Sequence, residues 1–187
     1  MRYLQAGFII LGISAACSEY SGGQIRTTLT TIPWRGFQLF TKHLALAIIT
    51  IPAAFIIAAS GVLYTFIRMR NTAVGIEIDT MIETLAGATG YLTLTTLLSA
   101  AIGALLRRTT PALVVLLGYY FVVSPLLSNY RPGIKKYFPD MAGYYMYMPP
   151  SSDKINVLTP MQGTGISMIW TLISITVAIV FYCKRDA

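Results

Sequence analysis

The side chains able to do chemistry in this 187-residue chain are few and scattered. Its single histidine, His43, has no GxSxG serine and no HExxH pair to work with, so neither a hydrolytic triad nor a zinc protease can be assembled. His43 therefore reads as an ordinary residue at a membrane boundary. Asp79 and Glu83 stand four apart and share a face if the segment is helical, a pairing that could hold a cation. Glu83 also fits the third position of a capping box opened by Thr80, and this is the reading taken here. Cys17 and Cys183 form no CxxC or Cys/His pair, so no metal site is expected. No GxxxxGK[ST] loop occurs, so ATP hydrolysis by the usual route would need another polypeptide. The chain is expected to be no enzyme, with no catalytic residue and no cofactor of its own.

The elements that carry these groups follow from where charge is absent. The chain is 55% hydrophobic and 11% charged, against roughly 25% charged in soluble domains. Every Lys, Arg, Asp, Glu and His falls outside five runs: Tyr3–Cys17, Leu44–Ile67, Leu85–Leu106, Pro111–Ser128 and Met161–Cys183. A helix needs about 20 residues at 1.5 Å each to cross roughly 30 Å of hydrocarbon. The last four runs meet this, and the first, which carries Gln5 and Ser14, is a marginal span. It lacks the basic flank and small-residue cleavage site of a signal peptide. Proton relays and ion-coupled transport need charges at membrane depth, so a secondary transporter is disfavoured. The expected architecture is an all-α integral membrane protein with about five transmembrane helices in a single domain, residues 1–187.

Local signals support this division. Thr80 to Glu83 and Thr159 to Gln162 match the capping-box pattern, and Thr110-Pro111 suits a third helix start. Pro52 and Pro125 fall inside spans, where each should bend the helix or loosen one turn. Ala54 with Ala58, Ala86 with Gly90, and Ser99 with Gly103 are small residues four apart that let helices approach closely. Placing the 18–42 loop in the cytoplasm leaves seven basic residues on each side, so the positive-inside rule alone decides no orientation. In that topology Cys17 and Cys183 both face the reducing side, and a disulfide between them is not expected.

The 18–42 segment differs from the other loops. Ile25, Leu29 and Ile32 fall at i, i+4 and i+7, giving a short helix one apolar stripe with Arg26 beside it and Pro33 at its end. Such a helix either lies in the headgroup layer or docks its stripe into a groove on a soluble partner. The segment resembles the permease subunits of ABC-2 type ATP-binding cassette transporters, especially small bacterial drug and peptide exporters. These carry a pattern close to E-Y-x-x-G-T-I-R-x-x-L-x-x-x-P-x-R, then a lysine before the next span. Glu19, Tyr20, Gly23, Ile25, Arg26, Leu29, Pro33, Arg35 and Lys42 match it in register, and Gln24 stands where the family usually has threonine.

The resemblance implies that Glu19, Gly23, Ile25, Arg26, Leu29, Pro33 and Arg35 belong to a cytoplasmic coupling helix. That helix would bind a separate ATPase subunit, which holds the ATP and Mg, and would pass its closure to the spans. It also implies a multi-pass protein of the bacterial plasma membrane, paired with a second permease copy or a homologous permease, with the lipid bilayer as surroundings and no nucleic-acid partner. Such permeases have six spans, and the run from Tyr3 corresponds to the family's second. Either an upstream span belongs to the gene, or the chain is a shortened, non-transporting immunity or scaffold subunit that keeps the partner-binding loop.

The 129–158 segment is rich in tyrosine and methionine, among them Tyr137, Tyr144, Tyr145, Tyr147, Met141, Met146 and Met148. Tyrosine suits the membrane interface, where an apolar ring and a polar hydroxyl are both satisfied. In permeases of this type the matching region forms short outer helices that do not cross the bilayer and can close the exit pathway. Tyr144, Tyr145 and Tyr147 are the substrate or gate candidates.

Overall fold

The computed structural model describes residues 2–21, 35–69, 78–126, 136–148 and 158–185, and the regular structure among them is entirely helical. We number the helices α1 (Arg2–Ser21), α2 (Arg35–Met69), α3 (Ile78–Leu106), α4 (Thr109–Gly118, continued by a π-helical turn Tyr119–Val123), α5 (Pro139–Tyr147) and α6 (Pro160–Arg185). Gly36–Arg68, Ile78–Leu106, Thr109–Leu126 and Pro160–Lys184 are long and apolar enough to cross a bilayer, whereas α1 offers a shorter apolar stretch, Tyr3–Ser18. The outward faces of α2 and α6 carry Ile48, Phe55, Ile56, Leu172 and Phe181 in exposed positions. An exterior this apolar suits hydrocarbon and not water. The described residues are thus all-helical in their regular structure, the chain is membrane-embedded, and its long helices alternate in direction. One end of the bundle holds the end of α1, the start of α2, the α3–α4 turn and the end of α6, and we call it the turn end. The other carries α5.

Helix α3 is the axis of the bundle, packed against α1, α2, α4, α5 and α6. Its sequence explains this, because its buried positions are mostly small: Gly87, Ala88, Thr93, Thr96, Ser99, Ala100, Ala101, Gly103 and Ala104 among them. Without a hydrophobic force between helices in lipid, close backbone approach and dispersion hold the bundle together. The crossing with α1 is close, and a Cβ on Gly12 would collide with Ser99 Oγ and the Thr96 carbonyl. Gly103 faces Ala16 and Ile13 of the same helix, so Ser99 and Gly103 form the seam their spacing suggests. Ala54 likewise packs among Phe8 of α1 and Leu92 of α3. Ala86 does otherwise, because it is exposed in an open cleft, whereas Gly90, on the same cleft, also lies against α5, where an added Cβ would stand 3.1 Å from Met146 Cε. The hydroxyls buried along α3 bond backward to the helix itself: Thr89 to Leu85 O, Thr93 to Thr89 O and Thr96 to Leu92 O, each at 2.8 Å. That pattern keeps polar groups satisfied where no water is available.

The boundaries depart from the sequence reading at several places. Helix α2 begins at Arg35, so Arg35 to Lys42 are helix, although the charges suggested loop. Two polar groups find partners where they stand: Lys42 Nζ donates to Ala16 O of α1 at 3.3 Å, and His43 Nδ1 lies 2.8 Å from Leu39 O, while His43 Nε2 and Gln38 Oε1 are buried without a hydrogen-bond partner among the described residues. His43 is buried among the helices. Helix α3 starts at Ile78, which puts Thr80 inside the first turn and not at the cap. At α6 the capping box is real: Gln162 N–H donates to Thr159 Oγ1 at 3.3 Å, and Thr159 N–H to Gln162 Oε1 at 3.2 Å. Pro111 lies in the first turn of α4, where a missing N–H costs nothing. Helix α2 runs through Pro52 unbroken. Pro125 follows the π turn of α4, in which Ser124 N–H donates to Tyr119 O five residues back. The α3–α4 turn has Arg107 at φ 54°, with its guanidinium 5.7 Å from the Tyr182 ring centroid on α6. Cys17 is buried, Cys183 is exposed, and both are free thiols. Gly23, Ile25, Arg26, Leu29 and Pro33 lie outside the described residues, and Glu19 and Arg35 are placed only as positions in α1 and α2.

Candidate functional site: the short helix and the cleft beside it

Helix α5 has nine residues, too few to be stable alone in water, so its existence depends on what it packs against. It lies on α3 and α6. The seat is made by glycines that bring backbone to backbone. A Cβ on Gly87 of α3 would collide with the Met146 carbonyl, and one on Gly163 of α6 would stand 2.6 Å from Ala142 O. Trp170 of α6 adds a tether, its indole Nε1–H donating to Tyr137 O at 2.9 Å just before α5 starts. Pro139 at the first helical position and Asp140 in the first turn suit the positive end of the helix dipole.

Asp140 does more than cap. It is buried, and it accepts a hydrogen bond from Ser124 Oγ of α4, directly after the π turn. Tyr91, Tyr119 and Tyr120 lie close enough to feel its charge. Tyr119 Oη is buried without a hydrogen-bond partner among the described residues. Around this carboxylate the aromatic rings form two groups: Tyr91 and Tyr147 have centroids 5.6 Å apart and Tyr144 and Tyr147 5.5 Å, while Tyr119 and Tyr120 pair at 5.2 Å. A carboxylate buried among phenol groups at a membrane protein's end is a feature with few structural uses, since burying a charge is costly unless several donors face it.

Beside α5 runs a cleft of about 790 Å³. Its floor is α3 from Glu83 through Ala86, Gly90 and Thr93 to Leu94, and its walls are Met146 of α5, the first turns of α6, and Ile51 of α2. This volume lies within the roughly 300–1,000 Å³ typical of small-molecule sites. Glu83 is an exposed lining residue, and Asp79, one turn earlier on the same helix, is exposed but does not line the cleft.

Of the residues singled out from sequence, Tyr144, Tyr145 and Tyr147 come together on α5, with Tyr144 joining the other two rings. Tyr147 turns inward onto Tyr91, which sequence reasoning left unmentioned. Asp140 and Ser124 were missed as well. An acid directly after proline in an aromatic segment marks a helix start, but nothing local points to a serine on the preceding span. The cleft threonines carried a readable sign, Thr89 and Thr93 being four apart above Ala86 and Gly90. No groups of three or more His, Cys, Asp or Glu suited to a metal ion occur among the described residues. No family model, curated protein or solved structure matches the chain.

Proposed function

We propose that the chain is the membrane-spanning subunit of an ABC-2 type exporter, moving a drug, peptide or lipid-like substrate with energy from a separate ATPase subunit. The observation that carries this reading is the nine-position match from Glu19 to Lys42 at fixed spacing. Its surroundings support it. The chain leaves α1 and enters α2 at the turn end, where Arg107, Arg108 and Lys184 also lie, and α5 sits at the opposite end. On this reading the turn end is cytoplasmic and the membrane is a bacterial plasma membrane. The segment from Gly23 to Arg35 docks on the ATPase, α1 is a fifth span, and α5 covers the exit. The ATP and Mg belong to the partner, and a second permease copy completes the pathway. Because α3 touches every other helix, a push delivered between α1 and α2 reaches α5 through α3 and its glycine seat.

The test is co-purification of the ATPase with the chain in mild detergent, with ATP hydrolysis by the recovered complex. Arg26→Glu replaces attraction by repulsion at an acidic rim, and Leu29→Asp puts an unpaired carboxylate into a groove. Each should cost several kcal/mol, on the order of 100-fold or more in association. Membrane insertion should be near normal in both. Unchanged association and activity in the two variants would reduce the segment to a lipid-surface helix and remove the exporter reading.

A further inference from the structure

The cleft beside α3 is one-sided in its hydrogen-bonding chemistry. Thr89, Thr93 and Thr164 line it, and each has already given its hydroxyl hydrogen to a backbone carbonyl, at 2.8 Å to Leu85 O, 2.8 Å to Thr89 O and 2.7 Å to Met161 O. What these oxygens still offer is lone pairs. Thr159 Oγ1 accepts the Gln162 N–H, and its own hydrogen is the remaining hydroxyl donor on the cleft wall. Glu83 adds a carboxylate at the rim, an acceptor only when ionised. Met146, Met161 and Met168 supply soft sulfur and an adaptable apolar wall. No lysine, arginine, histidine or aromatic residue is among the described lining residues, and Glu83 makes no ion pair among the described residues.

We infer that the cleft binds an alkylammonium ion, a protonated primary amine on a single hydrocarbon chain. The headgroup lies at the Glu83 end of the cleft, and the chain runs past Thr89 and Thr93 toward Leu94 and Ile51. Three features select this class. Acceptors facing a ligand call for N–H donors, which a primary ammonium has and a quaternary one lacks; quaternary heads are held by aromatic faces, absent from this lining. A phospholipid would bring a phosphate that needs a cation or an array of donors, and the described lining has no cation. The length also agrees, since the eleven helical steps from Glu83 to Leu94 span about 16 Å along the helix. This inference rests on the transport reading in so far as the bound amphiphile would be its cargo. Binding itself needs neither ATP nor partner.

The experiment uses the full chain in phosphatidylcholine nanodiscs at pH 7, with radiolabelled dodecylamine as probe and empty discs as background. Saturable binding is expected in the parent. Glu83→Gln should weaken it by about tenfold or more, the value of one charge-assisted hydrogen bond. Ala86→Phe puts a ring into the cleft from an exposed position and should abolish it. Both variants should melt like the parent without ligand, because neither residue is buried. Unlabelled dodecylamine should displace the probe, dodecyltrimethylammonium at least about tenfold less well, and dodecyl sulfate not at all. Phosphatidylethanolamine added to the discs should leave binding unchanged. Binding no greater than in empty discs, equal affinity in Glu83→Gln, or displacement by dodecyl sulfate or phosphatidylethanolamine would overturn the inference. Lost amine binding with ATPase association intact removes this inference alone. Lost association with amine binding intact removes the transport reading and leaves the site.

Discussion

Replacing Ser124 by alanine tests whether the buried carboxylate of Asp140 is what holds α5 down. Ser124 Oγ donates to Asp140 on the far side of a sixteen-residue separation, and both residues are at most 6% exposed. A hydrogen bond to a charged group contributes about 1.5–3 kcal/mol, and burial leaves little water to replace it. Taking about 2 kcal/mol, the equilibrium between docked and undocked α5 should move about 30-fold toward undocked. Because nine residues cannot hold a helix in isolation, undocking and unfolding of α5 are one event. Amide hydrogen exchange reads that event directly. In purified protein, peptides covering residues 139–147 should exchange about 30-fold faster in Ser124→Ala, while those from the centre of α3 should not change. Asp140→Asn keeps an acceptor of the same shape and should have a smaller effect. Unchanged exchange in α5 would show that the Ser124 bond contributes nothing to docking. Equal acceleration in α3 would show that the bond supports the whole bundle, and either result refutes the latch.

Three other outcomes follow from the geometry. Gly163→Val places a Cβ against Ala142 O and should undock α5 and cost about 2 kcal/mol or more by overpacking, seen as a lower melting temperature than in Gly165→Val, where the added atom meets open space. Tyr147→Ala removes ring contacts with both Tyr91 and Tyr144 and should lower stability by about 1–2 kcal/mol, whereas Tyr145→Ala, which removes the ring contact with Tyr144, should lower it by less than about 1 kcal/mol in the same melts. At Arg107, glycine relieves the left-handed backbone while losing the contact with Tyr182, and alanine only loses it, so Arg107→Gly should be more stable than Arg107→Ala by about 1 kcal/mol in denaturant titration.

The spans were legible because charge excluded from a run is a one-dimensional signal, and a membrane imposes it directly. The capping pair at Thr159 and Gln162 was legible for the same reason, since both partners sit in one turn. The start of α2 was not, because Lys42 and His43 look like boundary residues until their partners, Ala16 O on another helix and Leu39 O one turn back, are known. Likewise the Thr80–Glu83 pattern was present without doing a cap's work, the helix having begun two residues earlier. The tyrosines of α5 were found by composition, but their inward anchor Tyr91 belongs to a helix some fifty residues upstream and follows no local spacing. The cleft takes its walls from four helices, so only its threonine and small-residue floor could be glimpsed in the chain.

The widened turn at Tyr119–Val123 has a further consequence for how α4 and α5 behave together. A π turn carries one residue more than an α turn, so tightening it to ordinary pitch would rotate everything after it by about 100° about the helix axis. Ser124 is the first residue after that turn. Tightening would therefore swing its hydroxyl away from Asp140, and pulling Asp140 away would remove one of the contacts that favour the wide form. The extra residue and the docked helix are thus thermodynamically reciprocal: any ligand, lipid or partner that favours one by a given free energy favours the other through the same bond. Pro125 stands immediately beyond, without an N–H to rebuild the regular ladder, so the dislocation has a fixed stop on that side and freedom only toward the middle of the membrane.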